Sequence, residues 1–205
     1  MVDLQGLHAR LRPELDRAMD EVLQESAFIR GRHVSAFEAK LSTILRLNAH
    51  VVGCGNGTDA LYLALRALDV GPGDEVIVPD FSFIATAEVV AEVGATPVFA
   101  DIDPRTFNLD PASAERARSA RTKAVIVVHL FGQCADMDAL VPWAKTHGLH
   151  LVEDNAQSLG SVYCGANVKG PAGTFGDLGC TSFFPSKNLG ALGDGGAVMA
   201  RNADL

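Results

Sequence analysis

The chain has 205 residues, 48% of them hydrophobic and 20% charged, a balance that excludes intrinsic disorder and supplies one large domain, or a domain with an appendage, whose core needs no cross-links. Seventeen Lys and Arg against 25 Asp and Glu leave a net charge of −8 without a dense basic cluster, which argues against a nucleic-acid partner. No apolar stretch reaches the ~18 residues of a membrane span, and the opening MVDLQGLHARLRPELDR lacks the apolar segment of a secretory signal, so a cytoplasmic protein without membrane contact is expected.

Leu7, Leu11, Leu15, Met19, Val22 and Leu23 recur at three- and four-residue intervals, and Val34, Phe37, Leu41, Ile44 and Leu45 repeat the pattern after Gly31. This spacing predicts two amphipathic helices, the first in a helical arm over residues 1–30 and the second opening a main domain over residues 31–205. Thereafter the apolar runs HVVGC, DEVIVP, TPVFA, KAVIVVH and LHLVED alternate with helical segments around residues 58–68, 83–93, 111–120 and 136–147. Because those runs are continuous in Val, Ile and Leu, both faces of the sheet should be covered. The prediction is an α/β fold in three layers, a mainly parallel sheet flanked by helices. From about residue 155 the pattern loosens into QSLGSVYCGANVKGPAGTFGDLG, rich in glycine and without periodicity, before the runs CTSFF and GGAVMA return. Cys54, Cys134, Cys164 and Cys180 form no CxxC pair, so reduced, buried thiols are expected in place of a zinc or dithiol site.

Ligands of open α/β sheets gather beyond the carboxyl ends of the strands, and three segments fall there. In GCGNGTDALYLAL, free amides at a helix start and the Thr58 hydroxyl make an anion site; the plain alternative is a turn in which Thr58 or Asp59 caps the helix. In LHLVEDNAQ, Asp154 and Gln157 follow a buried strand, and a carboxylate there could equally be a helix cap. In TSFFPSKNLGALGDGGAV, Lys187 sits among Phe183, Phe184 and Pro185, an unusual setting for lysine, whose amine becomes a nucleophile when desolvation or nearby cations lower its pKa. A phosphate cradle, a strand-end carboxylate and such a lysine are the three groups that hold pyridoxal phosphate (PLP). The histidines offer no rival: His147 and His150 lack a third ligand at metal-binding spacing, and His129 reads as a structural strand-end residue.

The segments GNGTDAL, VGPGDEVIVPDFSFIATAEVV, GATPVFADIDP, FGQCADMDAL, EDNAQSLG and SFFPSKNLGALGDGGAV resemble the nucleotide-sugar aminotransferases of the DegT type, fold-type-I PLP enzymes, over Gly55 to Val198. The resemblance implies an aspartate-aminotransferase-like major domain in which Lys187 forms the Schiff base and moves the catalytic proton. Asp154 would keep the pyridine nitrogen protonated, Gln157 would bond the phenolic oxygen, and Phe83 would stack on the ring. Thr58, the backbone amides of Gly57, Thr58 and Asp59, and the Ser182 hydroxyl would receive the phosphate. Related sugar dehydratases carry histidine at the Schiff-base position, so Lys187 favours amino transfer. The resemblance further implies L-glutamate as amino donor, a keto sugar linked to a nucleotide as acceptor, with 3-keto sugars favoured, a role in amino-sugar or polysaccharide biosynthesis, and a homodimer with shared active sites. Members of the family continue into a C-terminal small domain, so the chain is expected to be a truncated portion with exposed apolar surface. A PLP-binding regulatory or sensor protein and an inactive remnant are the alternatives.

Overall fold

In the computed structural model, which describes residues 2–46, 50–202 and 204–205, helix α1 (Leu4–Glu25) begins where the Asp3 carboxylate accepts the Gly6 amide at 2.9 Å. That cap starts the helix three residues ahead of the first apolar repeat. α1 buries none of its residues, and Arg32 ties it to α2 (Arg32–Ile44) through Glu21 and Glu25, each at 3.0 Å. α2 is anchored more firmly: Leu41 and Leu45 are buried, and Phe37 meets Phe183 edge-on with centroids 5.1 Å apart.

The strands are β1 (His50–Cys54), β2 (Glu75–Pro79), β3 (Thr96–Ala100), β4 (Thr122–Val128), β5 (His150–Asp154), β6 (Val162–Cys164), β7 (Lys169–Pro171), β8 (Leu178–Ser182) and β9 (Gly196–Ala200). Seven form one sheet in the order β1-β9-β8-β5-β4-β2-β3. β9 runs antiparallel to both its neighbours, whereas β3, β2, β4, β5 and β8 are parallel. The parallel strands are linked by crossovers, as parallel pairing requires.

Strand alternation sorts the core into two layers. Ala124 and Ile126 of β4, with Val76, Val78 and Val152, pack under α3 (Gly57–Ala67) and α4 (Ala85–Glu92). Val125 and Val127, with Ile77 and Leu151, face α5 (Pro111–Ala117) and α6 (Met137–His147). Three layers result, as the continuous apolar runs predict. The same alternation positions chemistry at the strand ends: Asp154 and Ser182 share parity with Val152 and Cys180, so both face the α3 and α4 side, while Glu153 faces the other.

Three details depart from the sequence reading. The glycine-rich segment contains an antiparallel hairpin, β6 with β7, whose three-residue strands are too short to show a period. The run expected at 180–184 lies two residues earlier, at Leu178–Ser182. Of the four thiols only Cys180 is buried; Cys54 and Cys134 are half-buried and Cys164, at the end of β6, is exposed.

Candidate active site

The first wall of the site is the start of α3. Asn56 Oδ1 accepts the Asp59 amide at 2.8 Å and Asn56 O accepts the Ala60 amide at 3.1 Å, so Asn56 is the cap in place of Thr58 or Asp59. The Asp59 amide, expected from the sequence to face a phosphate, is engaged by this cap, while Asp59 itself borders the cavity described below. The amides of Gly57 and Thr58 occupy the first two helical positions, where helix geometry supplies no acceptor. Ser182, at the end of β8, accepts the Phe184 amide at 3.2 Å, which leaves its hydroxyl proton to give. A methyl group on Gly57 would lie 2.6 Å from Ser182 Cβ. Glycine thus lets the helix start and the strand end touch, and two amides, the Thr58 hydroxyl and the Ser182 hydroxyl converge at the positive end of the helix dipole.

The second wall is the end of β5. Asp154 is 7% exposed, accepts the Ala156 amide on Oδ1 at 3.2 Å and the Thr86 hydroxyl on Oδ2 at 3.0 Å, and begins no helix. Burial pushes its carboxyl above the ordinary value, and those two hydrogen bonds together with nearby Lys187 and His129 pull it back. Gln157 Oε1 accepts the Phe131 amide at 2.9 Å. An amide N–H can be matched only by the oxygen, so the Gln157 nitrogen is left to donate elsewhere.

Between these walls lies a cavity of about 700 Å³ whose lining includes Gly57, Thr58, Asp59, Phe83, Asp154, Gln157, Ser182 and Lys187. The eight residues named from the sequence are brought together from segments up to 130 positions apart. Phe83 is 66% exposed, which removes core packing as the explanation of its identity. The Lys187 ammonium makes no hydrogen bond or ion pair among the described residues, although Asp154 feels its charge. Sequence reasoning missed Asn56, Ser82 and Thr86. The first was legible as a capping residue ahead of a helix; Thr86 meets a partner 68 positions away, and Ser82 meets Thr86.

The histidines stand apart from this cavity. His129 is fully buried, with Nδ1 accepting the Ala135 amide at 3.1 Å and Nε2 donating to Glu153 at 2.8 Å. His147 pairs with Glu115 at 3.3 Å and His150 with Asp177 at 3.5 Å.

A mixed sheet of this order, with a lysine, a buried carboxylate and an oxyanion cradle around one hollow beyond the strand ends, defines a PLP-dependent transferase major domain. The sequence profile of the DegT/DnrJ/EryC1/StrS aminotransferase family matches residues 10–205, and the chain belongs to that family. A UDP-N-acetyl-3-dehydro-alpha-D-glucosamine 3-aminotransferase of Acidithiobacillus ferrooxidans is 52% identical over the whole chain, which covers 54% of that protein. The crystal structure of S. venezuelae DesV, solved with a ketimine intermediate, superposes with a TM-score of 0.93 at 43% identity, over 98% of this chain and 53% of that one. NtdA from Bacillus subtilis, solved with bound cofactor PMP, superposes with a TM-score of 0.84 at 36% identity, over 92% of this chain and 41% of that one. The chain spans about half the length of the curated relatives it matches.

Proposed function

We propose that this chain binds pyridoxal phosphate in the cavity and serves an aminotransferase that moves an amino group from L-glutamate to a nucleotide-linked 3-keto sugar. The observation that carries the reading is the convergence of Lys187, Asp154 and the Gly57–Thr58–Ser182 donors on one hollow. The residues fit the cofactor: two amides and two hydroxyls match a phosphate, the exposed Phe83 ring matches an aromatic face, and the Gln157 nitrogen matches a phenolic oxygen.

When bound, the cofactor supplies an aldehyde for amine exchange and a protonated ring that takes up the electron pair released at the substrate carbon. Lys187 would hold the cofactor through its amine and, once released, would take up and return a proton at Nζ. Asp154 would hold a proton on the ring nitrogen, and the charge of a carboxylate so buried acts more strongly than one in water. Gln157 would donate to the phenolic oxygen and Phe83 would offer the ring a stacking face, which together would orient the cofactor. Gly57, Thr58 and Ser182 bind the phosphate and fix the depth of insertion. Glutamate as donor, a homodimer with shared sites, and work in the cytoplasm complete the reading; the names of relatives that aminate 3-keto sugars support the acceptor.

Borohydride reduction followed by peptide mass spectrometry tests the assignment. The expected result is a reduced cofactor adduct on Lys187 and none in Lys187→Ala, with glutamate converting the bound cofactor to its amine form. A Lys187→Ala chain that binds the cofactor as well as the parent contradicts the reading.

A further inference from the structure

Among the described residues Asp154 has one donor on each carboxylate oxygen, and the donor on Oδ2 comes from a residue that no wall of the cavity requires. Thr86, in the first turn of α4, is 1% exposed, and its Oγ1 lies 3.0 Å from Asp154 Oδ2 and 3.0 Å from Ser82 Oγ. A threonine hydroxyl carries one proton and an ionised carboxylate carries none. Thr86 therefore donates to Asp154, and the contact with Ser82 can be filled only with Ser82 as donor. Ser82 is half-buried and borders the cavity. Each bond in such a chain polarises the next.

We propose that Ser82 and Thr86 are positioning residues, a one-way pair of hydroxyl hydrogen bonds that aims the Asp154 carboxylate and holds it ionised for the ring nitrogen. The inference rests on the cofactor reading above and names two residues that the reading does not use. Burial works against the charged form of Asp154, and the Thr86 bond is among the interactions that oppose it. The geometry adds registration. Phe83 lies between Ser82 and Thr86 in sequence, and Thr86 N donates to Phe83 O at 3.2 Å, so one short segment presents both the stacking face and the support of the nitrogen partner.

Three variants test the relay: Thr86→Val, which keeps the shape and deletes the hydroxyl, Thr86→Ser, which restores it, and Ser82→Ala. The Asp154 carboxyl is titrated by carbon-13 NMR in the cofactor-free chain, pyridoxal phosphate affinity is measured by absorbance, and the ring nitrogen shift is read with nitrogen-15-labelled cofactor. In Thr86→Val the Asp154 midpoint should rise, the cofactor should bind about tenfold more weakly, the equivalent of one hydrogen bond to a charged group, and the ring nitrogen should move towards its neutral shift. Thr86→Ser should restore all three, and Ser82→Ala should produce a smaller move in the same direction. An unmoved Asp154 midpoint in Thr86→Val with native circular dichroism, or no rescue by serine, overturns the relay. If Thr86→Val does not fold, an unmoved midpoint in Ser82→Ala overturns it instead. A parent chain that binds no pyridoxal phosphate sinks the cofactor reading, whereas the cofactor-free midpoints still decide the relay.

Discussion

At Gly57 a hydrogen atom in place of a methyl group lets α3 begin against the end of β8. In Gly57→Ala the added carbon would sit 2.6 Å from Ser182 Cβ, and neither a helix start nor a strand end yields easily. The expected outcome is a loss of about 1–3 kcal/mol of stability by urea denaturation, typical of overpacking, together with weaker binding of pyridoxal phosphate. Gly193→Ala, whose added carbon meets nothing within 4 Å, should change neither; equal effects of the two variants would remove the steric argument. Single residues also show where a sequence stops speaking. Lys187 is marked by its apolar neighbours and Asp154 by its place at the end of β5, and each reads as functional only beside the other. Thr86 looks like any threonine in a helix, because the hydroxyl's value lies in an oxygen contributed by β5.

Between elements, α5 and α6 are joined by one carboxylate. Glu115 accepts two bonds from Arg118, at 3.0 and 3.1 Å, and the indole N–H of Trp143, the chain's one tryptophan, at 2.7 Å. Arg118 and the indole hold the Glu115 carboxyl at about 2, below its ordinary 4.5. A carboxyl whose folded pKa is lowered contributes stability that is present above 4.5 and is lost as the pH falls towards 2. Acid titration followed by Trp143 fluorescence should therefore show a step within that window, and Glu115→Gln should abolish it. Solvent screens this half-exposed cluster, so the same step should shrink in high salt. The elements themselves were readable to different degrees. The strands at 50–54 and 96–100 coincide with their apolar runs, since a five-residue run between turns has little freedom in its ends. The hairpin of β6 and β7 left no trace: Val162–Cys164 and Lys169–Pro171 pair through backbone groups that every residue carries.

Across the whole molecule, Glu153 ties two distant stretches to the end of β5 on the face opposite the cavity. Its carboxylate accepts His129 Nε2 and the Gly173 amide, each at 2.8 Å, and the Phe175 and Gly176 amides at 2.5 and 2.6 Å. Neighbouring Asp154 points the other way, so one strand end fastens the 173–176 loop with one residue and faces the cavity with the next. Glu153→Ala would strand the buried Gly173 amide, two half-buried amides and a buried imidazole, and the expected loss is about 3–5 kcal/mol in chemical denaturation; a loss below about 1 kcal/mol would show that water replaces the carboxylate there.

The order of apolar runs and turns was enough to specify a three-layer α/β domain, because both periodicity and glycine punctuation are local properties of the chain. It was also enough to name Lys187 and Asp154 as candidates when taken together. Folding decided the rest: that Asn56 rather than Thr58 closes α3, that the Asp59 amide is engaged, that Cys164 faces solvent, and that Thr86 supports Asp154. Those outcomes depend on which atoms meet across long stretches of sequence, and no local pattern encodes a distance between residues 86 and 154.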